Sequence, residues 1–335
     1  MPRVTAVIPT LGTDVPRLAA AVQAVWAQER EVELEVVVVV NGAPLPDTTG
    51  LDARSRVLTT GINLGWGGGL HVGRAASDAE FVWLVQDDSY PQEHCLRDLD
   101  AAPEQALVSP IVVRTEREND ASPTVPYARR ASWGGVLGAD GAMDHWEPRR
   151  DTPLDEIGEV PHLDYVPSRG MLVRTSAWDE VGGTDLRAFP VGWVDVLLCS
   201  AVRAAGHTIG LAPSARIRHD RSASTPTILN GFVRERGPRL LREVGMPPAV
   251  ASDIVPEHVM GSTLASATAT VLELAAYAER TTVPRPQHDA VVDALSEVTR
   301  ERDGARAELD ALRGSLSWRA TAPLRRLRGL AKRRS

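Results

Sequence analysis

The chain has 335 residues, 43% of them hydrophobic, enough to bury a substantial core in one large domain or two smaller ones. Its 44 acidic and 37 basic residues leave a formal charge of -7, which argues against a general nucleic-acid binder, whose domain would be basic. The two cysteines, Cys95 and Cys199, lie far apart without metal-ligand spacing, which disfavours a disulfide-stapled secreted domain or a zinc site and fits a reducing cytoplasm.

The opening MPRVTAVIPT runs almost directly into a strand pattern, without the charged region, apolar stretch and cleavage site of an export signal. Residues 4–9 and 34–40 read as buried strands, rich in β-branched side chains, and residues 15–30 between them have helical apolar spacing. This is a βαβ unit. A strand at 56–59, a helix at 70–76 and a strand at 81–85 continue the alternation, which defines an α/β fold with a mixed, mostly parallel, Rossmann-like sheet covered by helices on both faces. Residues 115–163 are polar, with scattered Pro, Gly and Trp, and read as long loops with a short hairpin. From Tyr165 order returns: a strand ending near Val173, a helix at 175–181, the Gly182-Gly183 turn, a helix at 194–205 and a short strand before His219.

Residues 225–282 read as a helical C-terminal extension, and the two prolines within 283–287 mark a linker. Beyond it, Leu295, Val298, Arg302, Ala305, Leu309, Leu312 and Leu316 follow an approximate heptad, compatible with self-association as a homo-oligomer. Residues 319–335 carry seven basic side chains and no acid; Trp318, Leu324, Leu327 and Leu330 can share one face, which suits an anionic membrane surface or a solvated basic end. The apolar run at 36–40 is far short of the roughly 20 residues that cross a bilayer, so membrane contact is expected to be peripheral, on the inner face of a cytoplasmic location.

Ligands of such sheets bind at the carboxyl ends of strands, so chemistry is expected at residues 10–14, 41–44, 63–69 and 86–89. In Gln86-Asp87-Asp88-Ser89, two adjacent carboxylates concentrate negative charge, which a divalent cation between them and a phosphate would relieve; a solvated turn or a helix N-cap is the alternative. In Asn63-Leu64-Gly65-Trp66-Gly67-Gly68-Gly69, glycines permit close approach to a phosphate-bearing ligand, or simply a flexible connection. The GxGxxG dinucleotide spacing fails at Leu70. Asp195, opening a helix, is placed for general-base work or for capping that helix. His219, ending a strand, is either a nitrogen ligand for a metal or a surface histidine.

The order of these segments resembles glycosyltransferase family 2, of GT-A fold, and especially its rhamnosyltransferase and galactofuranosyltransferase relatives. VTAVIPTLG resembles the family's first strand and donor loop, VVVNGA its second nucleotide-contacting loop and NLGWGGGLHVGRA its glycine-rich segment. VQDDSYP is similar to the metal-binding DxD motif, SRGMLVRTSAWDEVGGTD resembles the segment before the acceptor site, and FPVGWVDVLLCSAVRAAGHTIGLAPSARIRHD resembles the base-bearing helix and metal-contacting histidine.

The resemblance covers residues 4–220. It implies a GT-A catalytic domain at 1–224, with a nucleotide-sugar half at 1–114 and an acceptor half at 115–224. It implies that Asp88 and His219 bind Mg2+ or Mn2+, that Pro9, Thr10, Asn41, Asn63, Gly65, Gly69 and Asp87 line the nucleotide-sugar site, that Gly170 and Trp193 lie on the acceptor side, and that Asp195 is the base. The implied partners are a UDP- or dTDP-sugar donor and a glycan or lipid-linked acceptor, with no nucleic acid. Gln86 stands where the motif's first Asp is usual, Val194 where an acid often precedes the base, and His71 where Asn is usual. Two competing classes follow: a sugar-phosphate nucleotidyltransferase, against which PTLGTD offers no Gly-rich basic signature, and a non-catalytic glycan-binding or scaffold protein derived from a transferase.

Overall fold

A computed structural model of the chain describes residues 3–29, 32–42, 45, 48, 50–102, 104–115, 134–138, 143–146, 160–188, 192–220 and 227–243, with single positions 269, 270, 273, 300 and 307. The linker at 283–287, the heptad residues and the basic tail therefore lie outside the described residues.

The chain opens with β1 (Arg3–Thr10), α1 (Val15–Trp26), β2 (Glu33–Val40), β3 (Arg56–Thr59), α2 (Gly65–Ala75) and β4 (Phe81–Leu84). β5 (Ser89–Pro91), α3 (Cys95–Asp100), β6 (Leu107–Thr115) and the hairpin of β7 (Gly135–Leu137) with β8 (Met143–His145) follow. β9 (Met171–Arg174), α4 (Thr175–Val181), a 3-10 turn at Leu186–Ala188, α5 (Val194–Ala204), β10 (Ile209–Asp220) and α6 (Thr227–Arg242) follow. Asp14 starts α1 by accepting the Arg17 amide on its side chain, and Pro16 sits in the first turn, where a missing N–H leaves no helical bond unmade.

Eight strands form one sheet in the order β3-β2-β1-β4-β9-β6-β10-β5. Six run in one direction, and β9 and β5 are antiparallel to their neighbours. Alternation along the strands splits the core in two. Val4, Ala6 and Ile8 of β1 and Val36, Val38 and Val40 of β2 pack under Leu18, Val22 and Val25 of α1 and Leu96 and Leu99 of α3. Val7, Val37, Val39, Val82 and Leu84 face the opposite layer, where Leu70 of α2, Trp178 of α4 and Leu197 of α5 bury them. Helices thus cover both faces, as the near-continuous apolar strands require.

Three differences from the sequence-based expectation are instructive. α2 begins at Gly65 rather than Leu70, so the glycines are helical rather than a loop. Their low helix propensity conceals this, and packing overrides it: a Cβ on Gly69 would stand 2.8 Å from Pro9 Cβ, and one on Gly73 would overlap the Val7 side chain. Next, β10 is a long strand of 12 residues, with a register shift between Ala212 and Arg216 beside Pro213, the proline that makes its first half look like a loop. Lastly β6, with Pro110 in its middle, pairs with β10 beside that same irregularity.

Candidate active site

β1 is the strand at which the chain reverses its spread: β2 and β3 lie on one side of it, β4 and all later strands on the other. Such a switch point opens a crevice at the strands' carboxyl ends. Thr10 ends β1 there, accepts the Gly12 amide at 3.0 Å and donates its hydroxyl to Asp87 Oδ2 at 2.6 Å. Asp88, 6% exposed, has Oδ1 3.4 Å from His219 Nε2, and its carbonyl accepts the Asp220 amide at 3.0 Å. The β5–β10 ladder causes this meeting, because it aligns Ser89 with His219.

The two carboxyls differ electrostatically. Burial, reinforced by the neighbouring Asp88 charge, pushes Asp87 above the usual carboxylate range against the Thr10 hydrogen bond. Burial acts the same way on Asp88, but His219, Arg17 and Arg169 outweigh it and hold Asp88 below that range. Several buried polar atoms at this rim have no hydrogen-bond partner among the described residues: Asp88 Oδ1, Ser89 Oγ, His219 Nδ1, Arg17 Nε and Arg169 Nε. Buried polar groups are ordinarily satisfied, so these atoms leave the rim open to a polar ligand.

The loops after β2 and β3 are organised by Asn41, 4% exposed. Its amide nitrogen donates to Asn63 Oδ1 at 3.2 Å and to the Gly65 carbonyl at 2.8 Å, while its Oδ1 accepts the Leu64 amide at 2.8 Å. Asn63 Oδ1 also accepts the Gly65 amide at 2.8 Å. These bonds shape the entry to α2, with Gly65 at φ 71, a left-handed conformation that favours glycine. Pro9 packs against Gly69 one turn further on.

The remaining residues reach the rim from the second half. The Gly170 amide donates to the Leu84 carbonyl at 2.8 Å, and its own carbonyl accepts the Trp83 indole N–H at 2.8 Å, which fixes the Ser168-Arg169-Gly170 turn at the end of β4. Asp195, the second residue of α5, accepts the Ser168 amide at 3.4 Å and the Val196 amide at 3.0 Å. Asp195 is thereby tied to the turn that adjoins the acidic pair. Trp193, buried, takes φ 62 just before it. Ser89 belongs to the acidic segment that the sequence singles out, whereas Arg17 and Arg169 carry no signal in their residue type or spacing.

Among the described residues no group of three or more His, Cys, Asp and Glu gathers as a metal cage. Asp88 and His219 offer one oxygen and one nitrogen 3.4 Å apart, and Asp88 Oδ1, which completes no hydrogen bond among the described residues, fits a cation that takes its other ligands from phosphate and water. No described helix is long and apolar enough to cross a membrane.

This mixed sheet, with helices on both faces and an acidic pair at its switch point, is a glycosyltransferase-like fold of the GT-A kind. No protein-family model matches the chain. It is similar to the pre-mycofactocin glycosyltransferase of Mycobacterium tuberculosis, 30% identical over 197 residues that cover 56% of this chain and 37% of that protein. It is also 27% identical over 240 residues to the uncharacterized protein y4gI of Sinorhizobium fredii, covering 67% of this chain and 25% of that one. The chain thus spans well under half the length of these curated relatives. Among solved structures, GalNAc-T7 with UDP, GalNAc and Mn2+ superposes with a TM-score of 0.51 at 13% identity, over 70% of this chain and 48% of that one. S. aureus TarS 1-349 in complex with UDP gives a TM-score of 0.45 at 14% identity, over 92% and 83%.

Proposed function

We propose that this chain is an inverting glycosyltransferase that moves a sugar from a UDP- or dTDP-sugar to a hydroxyl of a cell-envelope glycan or lipid-linked acceptor. The observation that carries the reading is the set of unpartnered buried polar atoms around Asp87 and Asp88 at the switch point of a GT-A-like sheet. In this reading the nucleotide lies over the loops braced by Asn41 and Asn63, with Pro9, Thr10, Gly65, Gly69 and Asp87 lining its site. Gly170 and Trp193 face the acceptor.

Asp195 removes the acceptor's proton as the hydroxyl oxygen bonds to the anomeric carbon and the bond to the diphosphate oxygen breaks, with inversion. A Mg2+ or Mn2+ ion held by Asp88 and His219 would supply charge neutralisation for the departing nucleoside diphosphate. The pre-mycofactocin glycosyltransferase similarity and the UDP and Mn2+ of the GalNAc-T7 crystal support this class of chemistry. The basic tail is proposed to hold the enzyme on anionic membrane, and flotation with anionic vesicles tests it: the full chain should float and a chain ending near Gln287 should not.

Asp195→Asn tests the mechanism. It should lower turnover by about 10²-fold or more while nucleotide binding persists. Transfer at the wild-type rate would remove Asp195 from the role of base. Gln86 and Val194 favour a second reading, a glycan-binding protein descended from a transferase; such a protein would bind glycan equally well with either residue at 195.

A further inference from the structure

We infer that Arg17 and Arg169 form a cationic clamp for the donor's diphosphate, one guanidinium from each half of the crevice, acting beside the metal site rather than through it. The inference rests on the transferase reading above and assigns residues that no family pattern supplied.

The two arginines come from unrelated places. Arg17 stands in the first turn of α1, directly after the β1 loop, and Arg169 in the turn that Gly170 anchors to the end of β4. Each has a buried Nε without a hydrogen bond among the described residues. Arg17 makes a loose ion pair with Asp14, Nε to Oδ2 at 3.9 Å, too long for a hydrogen bond, and Asp14 already caps α1 through Oδ1. A guanidinium presents five donors in a planar fork, so a buried unmet Nε is an open claim on an acceptor. Phosphate oxygens meet that fork in bidentate fashion, and the hydrogen bonds are charge-assisted.

Their places in the fold bring them to the strand ends that carry Thr10, Asp87 and Asp88: Arg17 follows the loop that leaves β1, and Arg169 precedes Gly170, whose amide bonds to the Leu84 carbonyl at the end of β4. That rim needs cations beyond one metal ion. Asp87, Asp88 and a diphosphate together bring more negative charge than a divalent ion cancels. Gln86, where the usual motif carries a carboxylate, further leaves the metal with fewer protein ligands. Arginines on either side relieve the repulsion and hold the diphosphate even when the metal is absent.

The test uses the full chain in calorimetric titrations with UDP and dTDP, each with Mn2+ and with EDTA, and with uridine and thymidine as diphosphate-free probes. Wild-type protein should retain measurable diphosphate affinity in EDTA. Arg17→Gln and Arg169→Gln should each weaken the diphosphate about tenfold or more in both conditions, leave nucleoside affinity within about twofold, and Arg169→Lys should recover part of the loss. Wild-type affinity for neither diphosphate would overturn the transferase reading itself. Wild-type binding that survives both substitutions, or that vanishes entirely in EDTA, would overturn the clamp alone. If a Gln variant fails to fold, the salt dependence of wild-type binding in EDTA decides: no weakening with added salt would refute the clamp.

Discussion

Among the described residues, His71 carries a distinct physical signature. Its ring lies edge-on to Trp178, with centroids 5.4 Å apart, and Nε2 is 2.9 Å from the Thr184 carbonyl, so Nε2 carries the proton as donor. Burial pulls His71 down to about 4, against the Thr184 bond, from an ordinary 6.5. The folded state therefore favours the neutral ring: its contribution is complete above the unfolded value and is lost as pH falls from about 6.5 towards 4. A depression of this size corresponds to about 3 kcal/mol. Urea titrations should show wild-type stability falling by about that much more than His71→Asn stability between pH 7 and pH 4; parallel pH profiles would contradict the buried neutral ring. At this scale the sequence disclosed types but not partners. Asp87, Asp88 and His219 stand out as chemistry-bearing residues, yet the Thr10–Asp87 bond and the His219–Asp88 approach depend on strand register, which a lone histidine 131 positions downstream does not reveal.

At the scale of elements, α2 and α6 make the sharpest claims. α2 lies so close to β1 that Gly73→Ala would drive a methyl into Val7, and Gly69→Ala would place one 2.8 Å from Pro9 Cβ. Alanine ordinarily gains up to about 1 kcal/mol over glycine within a helix. Overpacking should exceed that gain, for a net loss of about 1–3 kcal/mol. Gly50→Ala, whose Cβ would meet only Ala19 Cβ at 4.0 Å, should be near neutral. Equal stability of all three variants in thermal denaturation would refute the tight approach. α6 packs its Val233 and Gly237 face against Gly192 and Trp193, and a Cβ on Gly237 would overlap the indole. Trp193 holds a left-handed φ that costs a non-glycine residue of order 1–3 kcal/mol. Gly237→Ala should displace the indole, change the near-UV tryptophan signal and lower turnover through the adjoining Asp195; unchanged kcat and spectrum would mean that α6 does not position the turn. The βαβ opening was legible because its strands are purely apolar and its helix is capped. α2, β6 and β10 were obscured by glycines and prolines whose reasons lie in contacts distant along the chain.

Across the whole molecule, the first half of the chain and the later half are bound together at α2: Thr184 accepts His71 on its carbonyl and donates its hydroxyl to the Gly67 carbonyl at 3.1 Å. The same loop continues to Arg187, which pairs with Asp185 and reaches Glu243 at the end of α6 at 2.6 Å. The order of loops around the sheet was readable from the order of motifs, because the parallel strands of such a sheet send their carboxyl ends to one rim. The insertion of β9 antiparallel between β4 and β6 was not readable, since strand order leaves no local mark. The central claim is that this rim holds a nucleoside diphosphate with a divalent cation. Thermal unfolding of the full chain with UDP, dTDP, GDP or NAD, each with and without Mn2+, tests it most directly. A ligand at 100 times its dissociation constant adds about 2.7 kcal/mol. The account predicts a Mn2+-enhanced rise in Tm with UDP or dTDP; no rise with any diphosphate, or a rise with NAD alone, would contradict it.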